Sequence, residues 1–239
     1  MDRKSSNAHY VRPACESCGV RKLCLPVSLN DDELSNMHAL VKQRTTLKKG
    51  DHLFRSGDSF RSLFAIQTGA MKTYGMTLDG KEQITGFHLT GEVLGLDAID
   101  EDNHHCNAVA LEKTEICELP YSDLESLEIK TPNLSHDLSR IMSREIRREQ
   151  HALMLLTSTT AEQRVARFLL NLHQRQQERG ASNNTLHLPM TRQDVGNYLG
   201  MAFETVSRQL ARLQDSQLLD IKNKDITLLD IDALEAIAA

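Results

Sequence analysis

The chain of 239 residues has no tryptophan and only 4% aromatic residues, a scarcity that says little about function. It also lacks any uninterrupted apolar run near the ~18 residues that a membrane span needs, which excludes a helical membrane protein. Met1 to Tyr10 is polar and holds no stretch of signal-peptide type, so a soluble, cytoplasmic protein is expected. A basic excess is missing as well. Lys and Arg number 28 against 33 Asp and Glu, a net charge of −5, so affinity for nucleic acid cannot be argued from charge. No phosphate-binding loop, dinucleotide fingerprint or nucleophile–base constellation is present, so the chain is not read as an enzyme and no catalytic residue is assigned. What remains is ordinary globular composition, 40% hydrophobic and 26% charged, with length for one large domain or two modest ones. The acidic excess sits in residues 30–131, with 18 acidic and 10 basic side chains.

Five cysteines stand at 15, 18, 24, 106 and 117, the first three as C-x2-C-x5-C. An odd count without an export signal argues against a disulfide framework, because cytosolic thiols stay reduced. Pro13, Gly19 and Pro26 favour an irregular loop on which Cys15, Cys18 and Cys24 can converge. Three thiolates complete neither a tetrahedral zinc site nor a four-cysteine iron–sulfur cluster. Cys117, in the strand-like Glu115-Ile-Cys-Glu-Leu-Pro120, is preferred as fourth ligand over Cys106, which lies in a polar turn. Spacing alone leaves zinc and iron–sulfur open. The adjacent His104-His105 pair reads as solvated loop.

Eight of the twelve glycines fall between 50 and 95 and punctuate short runs such as Ser62-Leu-Phe-Ala-Ile-Gln67, a pattern that predicts a β sandwich or roll over about 44–120. A short helix capped by Asn30 precedes it. From Asn133 to Thr157 there is neither Gly nor Pro, and Met142, Ile146, Glu149, Leu153 and Leu156 recur at heptad spacing, which predicts a two-stranded coiled coil and a homodimer. Arg140, Arg144, Arg147 and Arg148 lie off this seam. Glu149 is its flaw: two facing carboxylates would cost of order 1 kcal/mol or more, so the dimer is expected to be poised for switching.

In the last third, Thr159 or Thr160 caps a helix reaching towards Gly180, and a short strand follows at Leu186-His-Leu188. Thr191 then caps a second helix with Asp194 at its third position. Gly200 ends that helix and a third starts near Phe203, the spacing of a helix-turn-helix. Leu218 to Leu229 reads as a β-hairpin wing. On the third helix, Val206, Leu210 and Leu213 face inward, while Glu204, Ser207, Arg208 and Arg212 share another side. Arg can fork to guanine and Glu can accept from cytosine, so Glu204, Ser207 and Arg208 are the candidate base readers. Arg212, Thr191 and Arg192 are better placed for phosphates. The alternative is a solvated face with an i,i+4 Glu204–Arg208 pair.

This order resembles the CRP/FNR transcription regulators over essentially the whole chain. The fold it implies is α+β: a cysteine-rich segment (1–29), an N-terminal β-roll sensory domain of cyclic-nucleotide-binding type (30–131), a long dimerisation helix (132–157) and a C-terminal winged helix-turn-helix (158–239). The cysteine spacing, the seam and Glu204-Thr-Val-Ser-Arg208 resemble the FNR branch. The resemblance implies that Cys15, Cys18, Cys24 and Cys117 hold an oxygen-labile [4Fe–4S] cluster, which favours iron–sulfur over zinc. It further implies a homodimer on a double-stranded palindrome like TTGAT-N4-ATCAA in the absence of oxygen, in contact with RNA polymerase, with loops such as Thr77-Leu-Asp-Gly-Lys81 as possible contact surfaces. Phe203 departs from the smaller aliphatic residue usual in this branch, which leaves the outer base of each half-site open. A cyclic-nucleotide-responsive relative would carry a Gly-Glu turn followed by an Arg. Gly91-Glu92 is present, but no Arg occurs from Gly91 to Glu112. A zinc-stabilised regulator and an iron–sulfur electron carrier complete the alternatives.

Overall fold

The computed structural model describes Cys15, Cys18, Val20, Cys24 and residues 28–41, 43–158 and 160–239. The rest of the cysteine-rich segment and Thr159 lie outside the described residues. The glycine-punctuated runs become two antiparallel sheets. One takes β1 (Gln43–Leu47), β8 (Thr114–Pro120), β3 (Ser62–Thr68) and β6 (Val93–Leu94) in that order. The other takes β2 (His52–Phe54), β7 (Asn107–Ala110), β4 (Ala70–Met76) and β5 (Glu82–Leu89). Side chains from both sheets, among them Phe54, Ile66, Met71, Leu94 and Ile116, fill the roll interior.

Successive strand residues face opposite ways. Ile116 therefore points inward, while Cys117 and Leu119 point to the outer face of β8. That face is covered by α1 (Asp31–Leu40), α2 (Tyr121–Glu128) and the start of α3 (Pro132–Ser158), through Met37, Leu63, Leu119, Leu124, Leu134 and Leu138. Asn30 caps α1 reciprocally with Glu33, as expected. The sequence signals did not reveal α2, which is too short to stand alone. Leu124 is fully buried, and burying such a side chain contributes about 1.5–3 kcal/mol that fixes the helix by packing.

Beyond α3, Thr160 and Gln163 cap α4 (Ala161–Glu178). Then come β9 (Thr185–His187), α5 (Arg192–Leu199), α6 (Phe203–Asp215), the hairpin of β10 (Leu219–Lys222) and β11 (Asp225–Leu228), and α7 (Ile231–Ala238), which the sequence reading missed. Thr191 and Asp194 form the expected capping box on α5, and Gly200 closes it in the left-handed region at φ 63°. Gly196 is needed for a different reason: a Cβ there would stand 2.6 Å from the Met201 carbonyl oxygen, inside the α5–α6 turn. Tyr74, Ile84 and Phe87 on the outer face of the second sheet share one core with Phe168, Leu199 and Leu210, so the roll and the C-terminal third are packed together. No helix among the described residues is long and apolar enough to cross a membrane.

One expectation is overturned. His104 is not solvated loop: it is buried, stacks on Phe54 with ring centroids 3.6 Å apart and directs Nδ1 towards Asp97 at 3.4 Å. An imidazole can bury one flat face against an aromatic ring while keeping a polar partner, and local polarity does not reveal that. His105 does remain exposed, beside Glu101.

Candidate functional site

Cys117 lies in the middle of β8, opposite Arg44 of β1 and Ala65 of β3. Cys15, Cys24 and Cys117 abut the apolar cluster that seats α1, α2 and the start of α3. The Cys15 thiol is pushed up to about 11 by burial, then by Cys117 and Cys18. Burial also raises Cys117; Arg44 opposes that shift and Cys18 adds to it. Cys18 therefore lies close enough to act on both Cys15 and Cys117, and Cys117 close enough to act on Cys15. Cys106 stands apart: its thiol donates to Asp97 Oδ2 at 3.5 Å, and it packs against the roll interior. Burial and Asp97 drive its pKa upward.

Among the described residues, no three His, Cys, Asp or Glu side chains converge on a position fit for a single ion. In a four-iron cluster each thiolate binds a different iron, so the four sulfurs need not meet at one point. Half-buried cysteine sulfurs at 15, 18, 24 and 117 are soft donors of the kind that iron takes, and a cationic centre would hold them as thiolates. The donor set fits a cluster on that ground.

Ser28, shortly after Cys24 in the chain, donates both its N–H and its hydroxyl to Oδ2 of Asp137, at 2.8 and 2.7 Å. Asp137 belongs to α3, its side chain is 2% exposed, and Arg140 stands 3.4 Å from its other oxygen. The chain that carries the thiols is thereby tied to the long helix.

On α3 the seam residues Met142, Ile146 and Leu153 are 39%, 53% and 64% exposed in one protomer. A helix packed only on its own domain would bury them, so this face suits a second copy. Glu149 lies exposed among them, its pKa raised by partial burial and then by Glu145. The side chain of Leu156 lies outside the described residues.

On α6, Val206, Leu210 and Leu213 are buried, whereas Glu204, Arg208 and Arg212 are exposed and Ser207 is half-buried. The Glu204–Arg208 pair does not form; Arg208 Nη2 donates instead to Thr205 Oγ1 at a long 3.4 Å. Both charged groups are left available to base edges. Phe203, in the first turn, is 44% exposed. Thr191 is less free, since its hydroxyl and its N–H both donate to Asp194. Arg192 is half-buried, with Nη1 lacking any partner in a cleft it shares with Lys49 and Lys224.

Two sets of contacts escaped sequence reasoning because their members are far apart in the chain. Asp194 caps α5 and also binds Lys72 of β4 at 2.8 Å, and Asn197 of α5 pairs with the backbone of β5. Glu92 of the Gly91-Glu92 turn binds Arg148 of α3 and Arg175 of α4.

The Crp-like helix-turn-helix domain matches residues 163–237, and the cyclic nucleotide-binding domain matches residues 44–129. The transcriptional activator protein FnrA of Stutzerimonas stutzeri is 46% identical over 94% of this chain and 92% of its own length. The fumarate and nitrate reduction regulatory protein of Escherichia coli is 43% identical over 94% of this chain and 90% of its own. Among solved structures, FixK2 from Bradyrhizobium japonicum is 30% identical with a TM-score of 0.76, covering 82% of this chain and 97% of that one.

Proposed function

Because the chain belongs to the FNR branch of the CRP/FNR family of DNA-binding transcription regulators, we propose that it is an oxygen-responsive member: a homodimer that binds a TTGAT-N4-ATCAA-like palindrome only while its cysteines hold a [4Fe–4S] cluster. It acts as a regulator and not as an enzyme, in keeping with the relatives' roles. Cys15, Cys18, Cys24 and Cys117 would hold the cluster, which supplies lability towards oxygen when bound.

The observation that carries this reading is that Cys15, Cys24, Cys117 and the start of α3 share one apolar cluster, reinforced by Ser28 on Asp137. The residues that sense and the helix that dimerises are thus seated by the same packing. Ordering the thiol segment holds Leu134 and Leu138 in place, and with them the start of α3. Loosening it removes two donors from a buried carboxylate, which disfavours the same seating. Coupling of only about 1–3 kcal/mol shifts such an equilibrium substantially. The cyclic-nucleotide alternative loses support, because the Glu92 carboxylate already holds two guanidiniums of its own chain.

Anaerobic purification followed by an ultraviolet–visible spectrum, iron and sulfide assays and operator binding, before and after air, tests the proposal. Visible absorbance, dimer and operator affinity should be lost together on exposure. Iron-free, oxygen-free protein that still pairs and binds its operator would overturn it.

The seam makes a separate prediction. Glu149→Ala removes the facing carboxylates, worth of order 1 kcal/mol, and should tighten the dimer by roughly fivefold and prolong it in air. Sedimentation showing an unchanged or weaker dimer would count against the seam.

A further inference from the structure

We propose that Glu92, Arg148 and Arg175 form a clasp that fixes the helix-turn-helix domain against the dimerisation helix and so sets the half-site spacing the dimer accepts. The inference rests on the palindrome reading above. Arg175 reaches Glu92 with two nitrogens, Nε to Oε1 at 3.0 Å and Nη2 to Oε2 at 2.6 Å, and Nη2 also donates to the Phe87 carbonyl at 2.6 Å. Arg148 Nη2 donates to the same Oε1 at 3.0 Å, while its Nη1 donates to Glu145 at 3.0 Å. The Leu89 N–H donates to Oε2 at 3.0 Å and anchors the carboxylate to its own turn.

The three side chains are 9%, 20% and 10% exposed for Glu92, Arg148 and Arg175. Burial disfavours a charged Glu92, yet Arg175 and then Arg148 hold its pKa down to about 2. The carboxylate is therefore a fixed anion, and its orientation is determined from three directions.

A two-nitrogen grip defines the plane of a guanidinium as well as its distance, which a single-point contact does not. Arg175 lies on α4, the helix that leads into the DNA-binding elements. Arg148 directly precedes Glu149, so any shift of α3 against its partner moves a group bound to Glu92. The Lys72–Asp194 and Asn197–β5 contacts attach the same domain at α5, and two separated attachments resist rotation. A dimer on a palindrome must hold its recognition helices about 34 Å apart, so the orientation of each domain becomes a spacing in DNA.

Duplexes with half-sites three, four and five base pairs apart, titrated without oxygen, test the clasp. Two variants are compared with wild type. Arg175→Lys keeps the charge and loses the two-point grip; Glu92→Leu with Arg175→Met replaces the pair by apolar groups of similar size, an exchange that usually preserves folding. Wild type should prefer one spacer by about tenfold or more, and both variants should retain cluster absorbance and dimerisation while the preference falls to about threefold or less. Variants that bind every duplex more weakly but keep the wild-type preference would reduce the clasp to a structural ion pair and overturn the proposal. If wild type itself showed no operator preference, the palindrome reading would fail, and the spacing role with it.

Discussion

Cys117→Ser protein purified without oxygen is expected to contain no cluster iron and to show no visible absorbance. Three thiolates remain after this change, and a hydroxyl is too hard and too weakly acidic to replace the fourth. The fold should survive, because Cys117 faces outward from β8 beside Ala65 and Arg44 while the roll interior is closed by Ile116 on the other side. Operator affinity should fall by about 10- to 100-fold, the range that sensor-to-site coupling commonly spans. Cys106→Ser is the matched control and should keep its spectrum, since Asp97 and the roll interior hold that thiol. Retained absorbance in Cys117→Ser together with loss in Cys106→Ser would exchange the two assignments.

Arg208→Ala should lower discrimination at one guanine per half-site by about 1–3 kcal/mol while leaving affinity for unrelated duplex nearly unchanged. The exposed guanidinium gives up only a long bond to Thr205 when it turns to a base, so little intramolecular stabilisation opposes the contact. Equal loss of affinity for all sequences would make Arg208 a phosphate contact instead. In the same assay Phe203→Ala should relax preference at the outermost pair alone, because its exposed ring can contact a thymine methyl. An unchanged outer-base preference would assign that ring a packing role.

Much of this was legible in the chain because local signals and tertiary packing agree. The capping boxes at Asn30, Thr160 and Thr191 begin helices where the side chains announce them. The Gly200 turn and the left-handed Asn223 between β10 and β11 close the helix-turn-helix and the hairpin by backbone chemistry that short sequences encode. What stayed hidden depends on distance along the chain. Glu92, Arg148 and Arg175 have no shared spacing, and only the packing of α3 and α4 on the β-roll brings them together. Asp137 carries no local signal of its burial, which depends on Ser28, 109 positions away in the chain, closing over it. His104 appeared solvated because its neighbours are polar, whereas its ring is covered by Phe54.

The occupied carboxylate at Glu92 has a consequence for signalling logic. Where a diffusible effector binds a regulator, occupancy follows its concentration by mass action and competes with every similar metabolite. Here the cationic groups are covalent parts of the chain, so their effective concentration is set by tether geometry and does not vary with cellular pools. No abundance of small molecules is needed to keep this junction closed, and the regulator is left answering to whatever moves its long helix.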